Sequence, residues 1–175
     1  MTDKKDLDGA TLSVLLASLK DAQDAIRAYD TKAQIVSIGF IFSLGMVATV
    51  GALAPDKPPF TLVTVILSWL LGVLPVMLFG YVLYPSRSMA PKLGTKIENL
   101  RRTYYVTEKC FPTLDEYLDE FDQSDWKVEL AYEIQKNSLL RDKKRNRFVT
   151  ALVVAGISFS LMFLAQLLRS VGVLA

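Results

Sequence analysis

The sequence predicts an all-α membrane protein, with three transmembrane helices and a cytoplasmic helical bundle. The bundle is built from the N-terminal stalk and the segment between spans two and three. Three observations predict this. Charged residues are missing from three long blocks, 33–55, 58–86 and 148–168. No proline interrupts the chain before Pro55. The basic residues gather at one set of block ends. A bilayer core takes about 20 apolar helical residues, and each block supplies that length. A charge at the bilayer centre costs roughly 3 kcal/mol or more, which explains why the blocks lack them.

The whole-chain averages hide this pattern. Hydrophobic residues make up 51% of 175 positions and the formal charge is +2, both ordinary for a soluble protein. The distribution carries the information. Buried core helices are usually shorter than these blocks. A cleaved signal peptide does not fit either, because the first block starts near residue 33, behind acidic residues, and is too long. The expected segments are a cytoplasmic N-terminal helix at 1–32, span one at 33–54, span two at 60–84, a cytoplasmic helical domain at 85–147, and span three at 148–168.

Basic residues flanking the spans set their orientation. Five precede span one: Lys4, Lys5, Lys20, Arg27 and Lys32. Only Lys57 lies between spans one and two, and only Arg169 follows span three. The remaining 13 lie between Arg87 and Arg147. The N-terminus and 85–147 are therefore expected in the cytoplasm, with the C-terminus on the outer side of a multi-pass membrane protein. The Pro55–Pro59 turn holds three prolines and is expected to close a tight hairpin of spans one and two.

In chain order, residues 1–10 are charged, contain Gly9 and are expected to fray. From Leu12 the apolar positions run Leu12, Leu15, Leu19, Ala22, Ile26, Tyr29 and Ala33. Steps of three and four in alternation form a heptad seam. The seam packs either on the chain's own cytoplasmic helices or on another copy. No breaker separates it from span one, so one helix is expected from about Leu12 to Leu53. Small residues recur four apart in the spans: Gly39 with Ser43, Gly45 with Thr49, Ala151 with Ala155, Gly156 with Ser160. Such pairs allow close helix approach in lipid, within a subunit or between subunits. Pro75 is expected to kink span two.

Past span two, a helix is expected to resume at Lys92 and to run through Tyr104, with Pro112 ending that segment. Thr113 and Glu116 fit a capping box for a short helix with Leu114, Tyr117, Leu118 and Phe121 inward. Ser124 or Asp125 caps the next helix, which meets no Gly or Pro from Trp126 until Gly156. The run Arg141, Lys143, Lys144, Arg145 and Arg147 stands just before span three, where anionic headgroups attract bases.

The chain contains no histidine and one cysteine, Cys110. Histidine acid–base chemistry and histidine metal sites are thus excluded, and no glycine-rich phosphate loop appears. No catalytic residue, metal ligand or cofactor is assigned, and the chain is not expected to be an enzyme. The 85–147 segment mixes 13 bases with 11 acids, which does not suit a nucleic-acid partner. One subset suits a small ligand: Arg101 and Arg102 beside Tyr104, Tyr105 and Trp126. Guanidinium groups pair with phosphate and aromatic rings stack on bases. The plainer reading is a surface arginine pair and bundle-core aromatics.

Three motifs carry a resemblance. They are Tyr29-Asp30-Thr31-Lys32-Ala33 entering span one, Tyr84-Pro85-Ser86-Arg87 closing span two, and Glu133 with Ser138-Leu139-Leu140 and Lys143-Lys144 before span three. Over roughly Leu12 to Leu168 the chain resembles the transmembrane effectors of Pycsar (pyrimidine cyclase) antiphage systems, and more distantly the SLATT-type membrane effectors. The resemblance implies that a cyclase makes a cyclic pyrimidine nucleotide, cUMP or cCMP, during infection. The effector would sense it and impair the inner membrane, halting growth. The expected partners are that nucleotide, the lipid bilayer and further copies of the chain. The alternative is an adaptor that recruits a protein partner through the heptad helix, with no small ligand.

Overall fold

The uncharged blocks and the heptad seam fall on two very long helices. The computed structural model describes residues 3–52, 62–84, 100–101, 103–104 and 113–170. Helix α1 runs Asp3–Ala52, α2 Leu62–Leu83, α3 Leu114–Asp122 and α4 Trp126–Ser170. No strand occurs among the described residues. Three helices are long and apolar enough to cross a membrane: α1, α2 and α4. The Pro55–Pro59 turn, the Lys92–Glu98 part of the resumed helix, Arg102, Tyr105, Cys110 and Pro112 lie outside the described residues.

Helix α1 starts earlier than Leu12, at Asp3. Helix α3 is capped as its sequence requires. The Thr113 hydroxyl oxygen accepts the Glu116 N–H at 3.3 Å. Asp125 caps α4, its carboxylate accepting the N–H groups of Lys127 at 3.0 Å and Val128 at 3.4 Å. Pro75 lies inside α2 and is buried. Its missing N–H leaves one backbone carbonyl a turn earlier without a helical donor.

The chain divides into two compact units, Met1–Ile26 with Ser86–Asp142, and Arg27–Pro85 with Lys143–Ala175. Helices α1 and α4 each run from the first into the second without a break.

In the first unit the heptad seam is the covered face of α1. Leu19, Ala22 and Ile26 are buried, and Ile26 packs with Leu140 of α4. At Ile26 the seam therefore serves packing within the chain. Helix α3 departs from expectation. Leu114 is 70% exposed and Leu118 48%, and no residue of α3 is buried. Among the described residues its apolar face meets a small aromatic cluster, in which the Phe121 ring centre lies 4.3 Å from that of Trp126 and 5.9 Å from that of Tyr117.

In the second unit three helices share one core: Ala33 and Phe40 of α1, Phe79 and Val82 of α2, Ala151 and Ala155 of α4. Asp30 meets Lys144, and Ser43 and Val47 line a cleft with Phe159 and Phe163. Residue numbers thus rise together along α1 and α4, so the two are parallel. A Cβ added at Gly72 would stand 3.8 Å from Leu44 Cδ1, so the two residues are neighbours, while Phe79 and Tyr29 both flank Phe148. Helix α2 is therefore antiparallel to them. Outside this core the unit is apolar and exposed, with Ile38, Phe42, Met46, Trp69, Met77 and Phe163 all facing outward. Such a surface suits hydrocarbon, where every backbone group must be satisfied within the helix.

The small residues divide between two roles. Ala151 and Ala155 are buried in the shared core. Gly39, Gly45 and Gly156 have nothing within 4 Å of an added Cβ and face away from it.

Candidate ligand site

Within the first unit, polar groups converge on the start of α4. The Arg101 backbone N–H donates to Glu129 Oε1 at 2.7 Å. The Arg101 guanidinium donates to Glu120 at 2.5 Å. Ser124 gives its one hydroxyl proton to the Glu120 carbonyl at 2.7 Å. Thr103, fully buried, must then be the donor in its 2.9 Å contact with Ser124.

These bonds explain why the chain is not helical at Arg101. Arg101 lies in irregular backbone and Thr103–Tyr104 in a turn. The Arg101 N–H is taken by a carboxylate 28 residues away rather than by a carbonyl one helical turn back. A tertiary bond to a buried charged acceptor outweighs one local helical bond.

Of the five residues predicted to meet a ligand, the structure describes three. Arg101 is exposed and tied to Glu120 by an ion pair, both side chains being about two-fifths exposed. Pairs this exposed contribute about 0–1 kcal/mol, so the guanidinium is readily released to a stronger anion. Tyr104 is half-buried. Trp126 is half-buried with its ring against Phe121. Arg101 and Trp126 share the neighbourhood of α3, through Glu120 and Phe121 respectively. Arg102 and Tyr105 lie outside the described residues.

The sequence reading missed two buried carboxylates. Glu129 is 1% exposed and Glu133 5%. Lys136 Nζ donates to Glu133 Oε1 at 3.1 Å, while Glu133 Oε2 is buried without a partner. Glu129 and Glu133 fall on the same helical stripe as Leu140, Ala151 and Ala155, but Lys136, Lys144 and Arg147 share that stripe, so the pattern alone does not mark the two carboxylates as buried.

In the second unit the basic run is not simply a headgroup anchor. Lys144 is 1% exposed and pairs with Asp30 at 2.5 Å. Arg147 sits 3.8 Å over the Tyr81 ring and donates to the Tyr81 hydroxyl at 2.8 Å. Lys143 and Arg145 are exposed. The motif residues Asp30 and Lys144, read separately along the sequence, thus touch.

The second unit also holds a cleft of about 340 Å³ between α1 and α4, lined by Ser43, Met46, Val47, Phe159, Phe163, Gln166 and Leu167. It offers no charged group, so it does not suit a phosphate-bearing ligand. Among the described residues no cluster of three or more acidic or cysteine side chains could hold a metal ion.

No curated protein and no solved structure matches the chain. A family model described as the Pycsar effector protein domain matches residues 14–170, nearly the whole of both units. The match takes in all three membrane-competent helices, the Asp30–Lys144 pair and the Arg101–Glu129 site. The chain therefore belongs to the Pycsar effector family, as a membrane-located effector of antiphage defence.

Proposed function

We propose that the chain senses a cyclic pyrimidine nucleotide, cUMP or cCMP, with the helices of its first unit. Its spans then impair the bacterial inner membrane, and the infected cell stops growing or dies. The observation that carries this reading is the continuity of α1 and α4, each unbroken from the first unit into a span. A change in tilt or register imposed on either helix needs no hinge to reach the bilayer. A ligand shifts such an equilibrium only by its differential affinity for the two states. Moving it from 1:99 to 99:1 takes about a 10⁴-fold difference.

The arrangement of charge fits this role. Basic flanks favour a cytoplasmic first unit, where a nucleotide made in the cell is met. Arg101 is held by an exposed pair of small net worth and is suited to exchange Glu120 for a phosphate. Trp126 stands beside the same acidic helix. The outward-facing glycines leave room for a second copy to approach, as small residues do between spans. No reaction is assigned to the chain, and it acts by binding.

The test is membrane potential in cells expressing the chain, followed with a voltage-sensitive dye as cUMP or cCMP is raised. Depolarisation that depends on the nucleotide supports the reading. A potential that never responds, with the chain present in the membrane fraction, sinks it.

A further inference from the structure

The first unit contains one acceptor too many. Helix α4 carries Glu129 and Glu133 one turn apart on its covered face, 1% and 5% exposed. Glu129 is matched by the Arg101 N–H. Glu133 is matched on Oε1 alone, by Lys136. Its second oxygen is buried and has no donor among the described residues. Buried polar atoms almost always hold a partner, and the exceptions call for an explanation. A carboxylate left half-satisfied is among the costlier arrangements a core can keep.

We infer that Glu133 is completed by the ligand: its free oxygen accepts a hydrogen bond from the N–H edge of a pyrimidine base. This rests on the nucleotide reading proposed above. The parts of a cyclic nucleotide are not equivalent before this site. The phosphate is an anionic acceptor and is repelled by two buried carboxylates. It belongs with the guanidinium of Arg101, on the exposed side of the unit. The base edge brings N–H beside an acceptor. Uracil offers N3–H flanked by carbonyls, and cytosine offers its amino group beside N3. Glu133 and Lys136 present the complement, an acceptor next to an ammonium whose three protons allow several bonds. Glu133 is then a binding residue that reads the base, and Arg101 meets the charge common to all cyclic nucleotides.

The experiment is isothermal titration of the purified full chain in detergent with cUMP and cCMP. It also uses N3-methyl-cUMP or N4,N4-dimethyl-cCMP, which remove the donor, and the 2′-deoxy analogue of whichever nucleotide binds. The variants are Glu133→Gln and Glu133→Leu, each with a thermal melt without ligand. Losing one charge-assisted bond weakens binding by about ten- to a hundred-fold. Methylation of the base should cost the native chain that factor, Glu133→Leu should cost the same, and the variant should no longer distinguish methylated from plain base. Glu133→Gln, which keeps an acceptor of the same shape, should fall between. Glu133→Gln should not melt below the native chain, because Oε2 has no partner and the amide oxygen still accepts from Lys136. Glu133→Leu also removes the part-exposed Lys136 contact at Oε1, so its melting temperature should fall only slightly. A merely structural glutamate would show the reverse, with a lower melting temperature and intact discrimination. Unchanged affinity in Glu133→Leu overturns the inference and leaves the nucleotide reading standing. So does a loss confined to the 2′-deoxy analogue. If the folded native chain binds neither nucleotide, both readings fall.

Discussion

Lys144 is closed off from solvent and its ammonium meets the carboxylate of Asp30, 114 residues earlier in the chain, at 2.5 Å. The two residues are not equally committed. The Lys144 side chain is 1% exposed and that of Asp30 32%, so Asp30 keeps access to water and Lys144 does not. Removing one partner of a buried pair is costly because it strands the other. Asp30→Ala strands a buried ammonium and should cost about 2–4 kcal/mol. Lys144→Met strands a carboxylate that water still reaches and should cost roughly half of that. Thermal unfolding in detergent orders the two, and the double variant should lie above Asp30→Ala. Equal losses would mean that the pair is solvated.

The heptad seam predicts a second asymmetry, between neighbours on α1. Leu19 is 1% exposed and Leu16 46%. Leu19→Ala should cost about 2–5 kcal/mol, and Leu16→Ala should stay within about 0.5 kcal/mol. Hydrogen exchange of amides near Leu130 reads the difference without ligand. If Leu16→Ala is the more damaging, the exposed face off the seam meets a partner outside the chain.

The small residues of the spans separate by the same logic. Ala151 is fully buried in the three-helix core, and Ala151→Leu should cost about 1–3 kcal/mol through overpacking. A Cβ at Gly39 would have nothing within 4 Å, so Gly39→Leu should leave the subunit's melting temperature unchanged. It should nonetheless reduce the higher bands in a chemical cross-linking ladder, because it fills the outward face. A native ladder in Gly39→Leu would remove that face from any contact between copies.

Thr113→Ala removes the acceptor that caps α3. Cap loss costs about 1 kcal/mol, and α3 has no buried residue to compensate. Amides from Asp115 to Leu118 should exchange about fivefold faster, with α1 unaffected.

Much of this fold is legible because membrane and heptad patterns are repetitive. The seam from Leu12 to Ala33 announces itself by spacing, and the spans by the absence of charge. Asp125 is legible as a cap because a helix with no breaker follows it. The failures share a cause. Leu114 and Leu118 have the spacing of a covered face but are exposed, because periodicity states that a face is apolar and not that anything lies on it. Arg101 reads as helical by its neighbours, yet its N–H belongs to Glu129. Among the five predicted ligand residues, spacing could place Arg101 and Trp126 near α3 but could not reveal the ion pair with Glu120. Lys144 looks like one base in a lipid-facing run, because the residue that fixes its role is far away in sequence. Glu133 was visible as a motif residue, but its burial was not, because Lys136, Lys144 and Arg147 share its stripe of the helix.

The shared core of the second unit has a consequence for the order in which the protein is made. Phe40, Phe79 and Val82 leave the ribosome long before Ala151 and Ala155, the residues that close over them. The first two spans must therefore wait in the bilayer as an open pair, with Asp30 at the water's edge lacking its cation. The assembled form becomes available only when synthesis is nearly finished, which keeps partly made copies of the effector from being competent. Nascent chains stalled with only 140 residues emerged should leave a cysteine at Phe79 open to a lipid-soluble label that the finished chain excludes. Equal labelling of the two would show that the hairpin closes its core without the third helix.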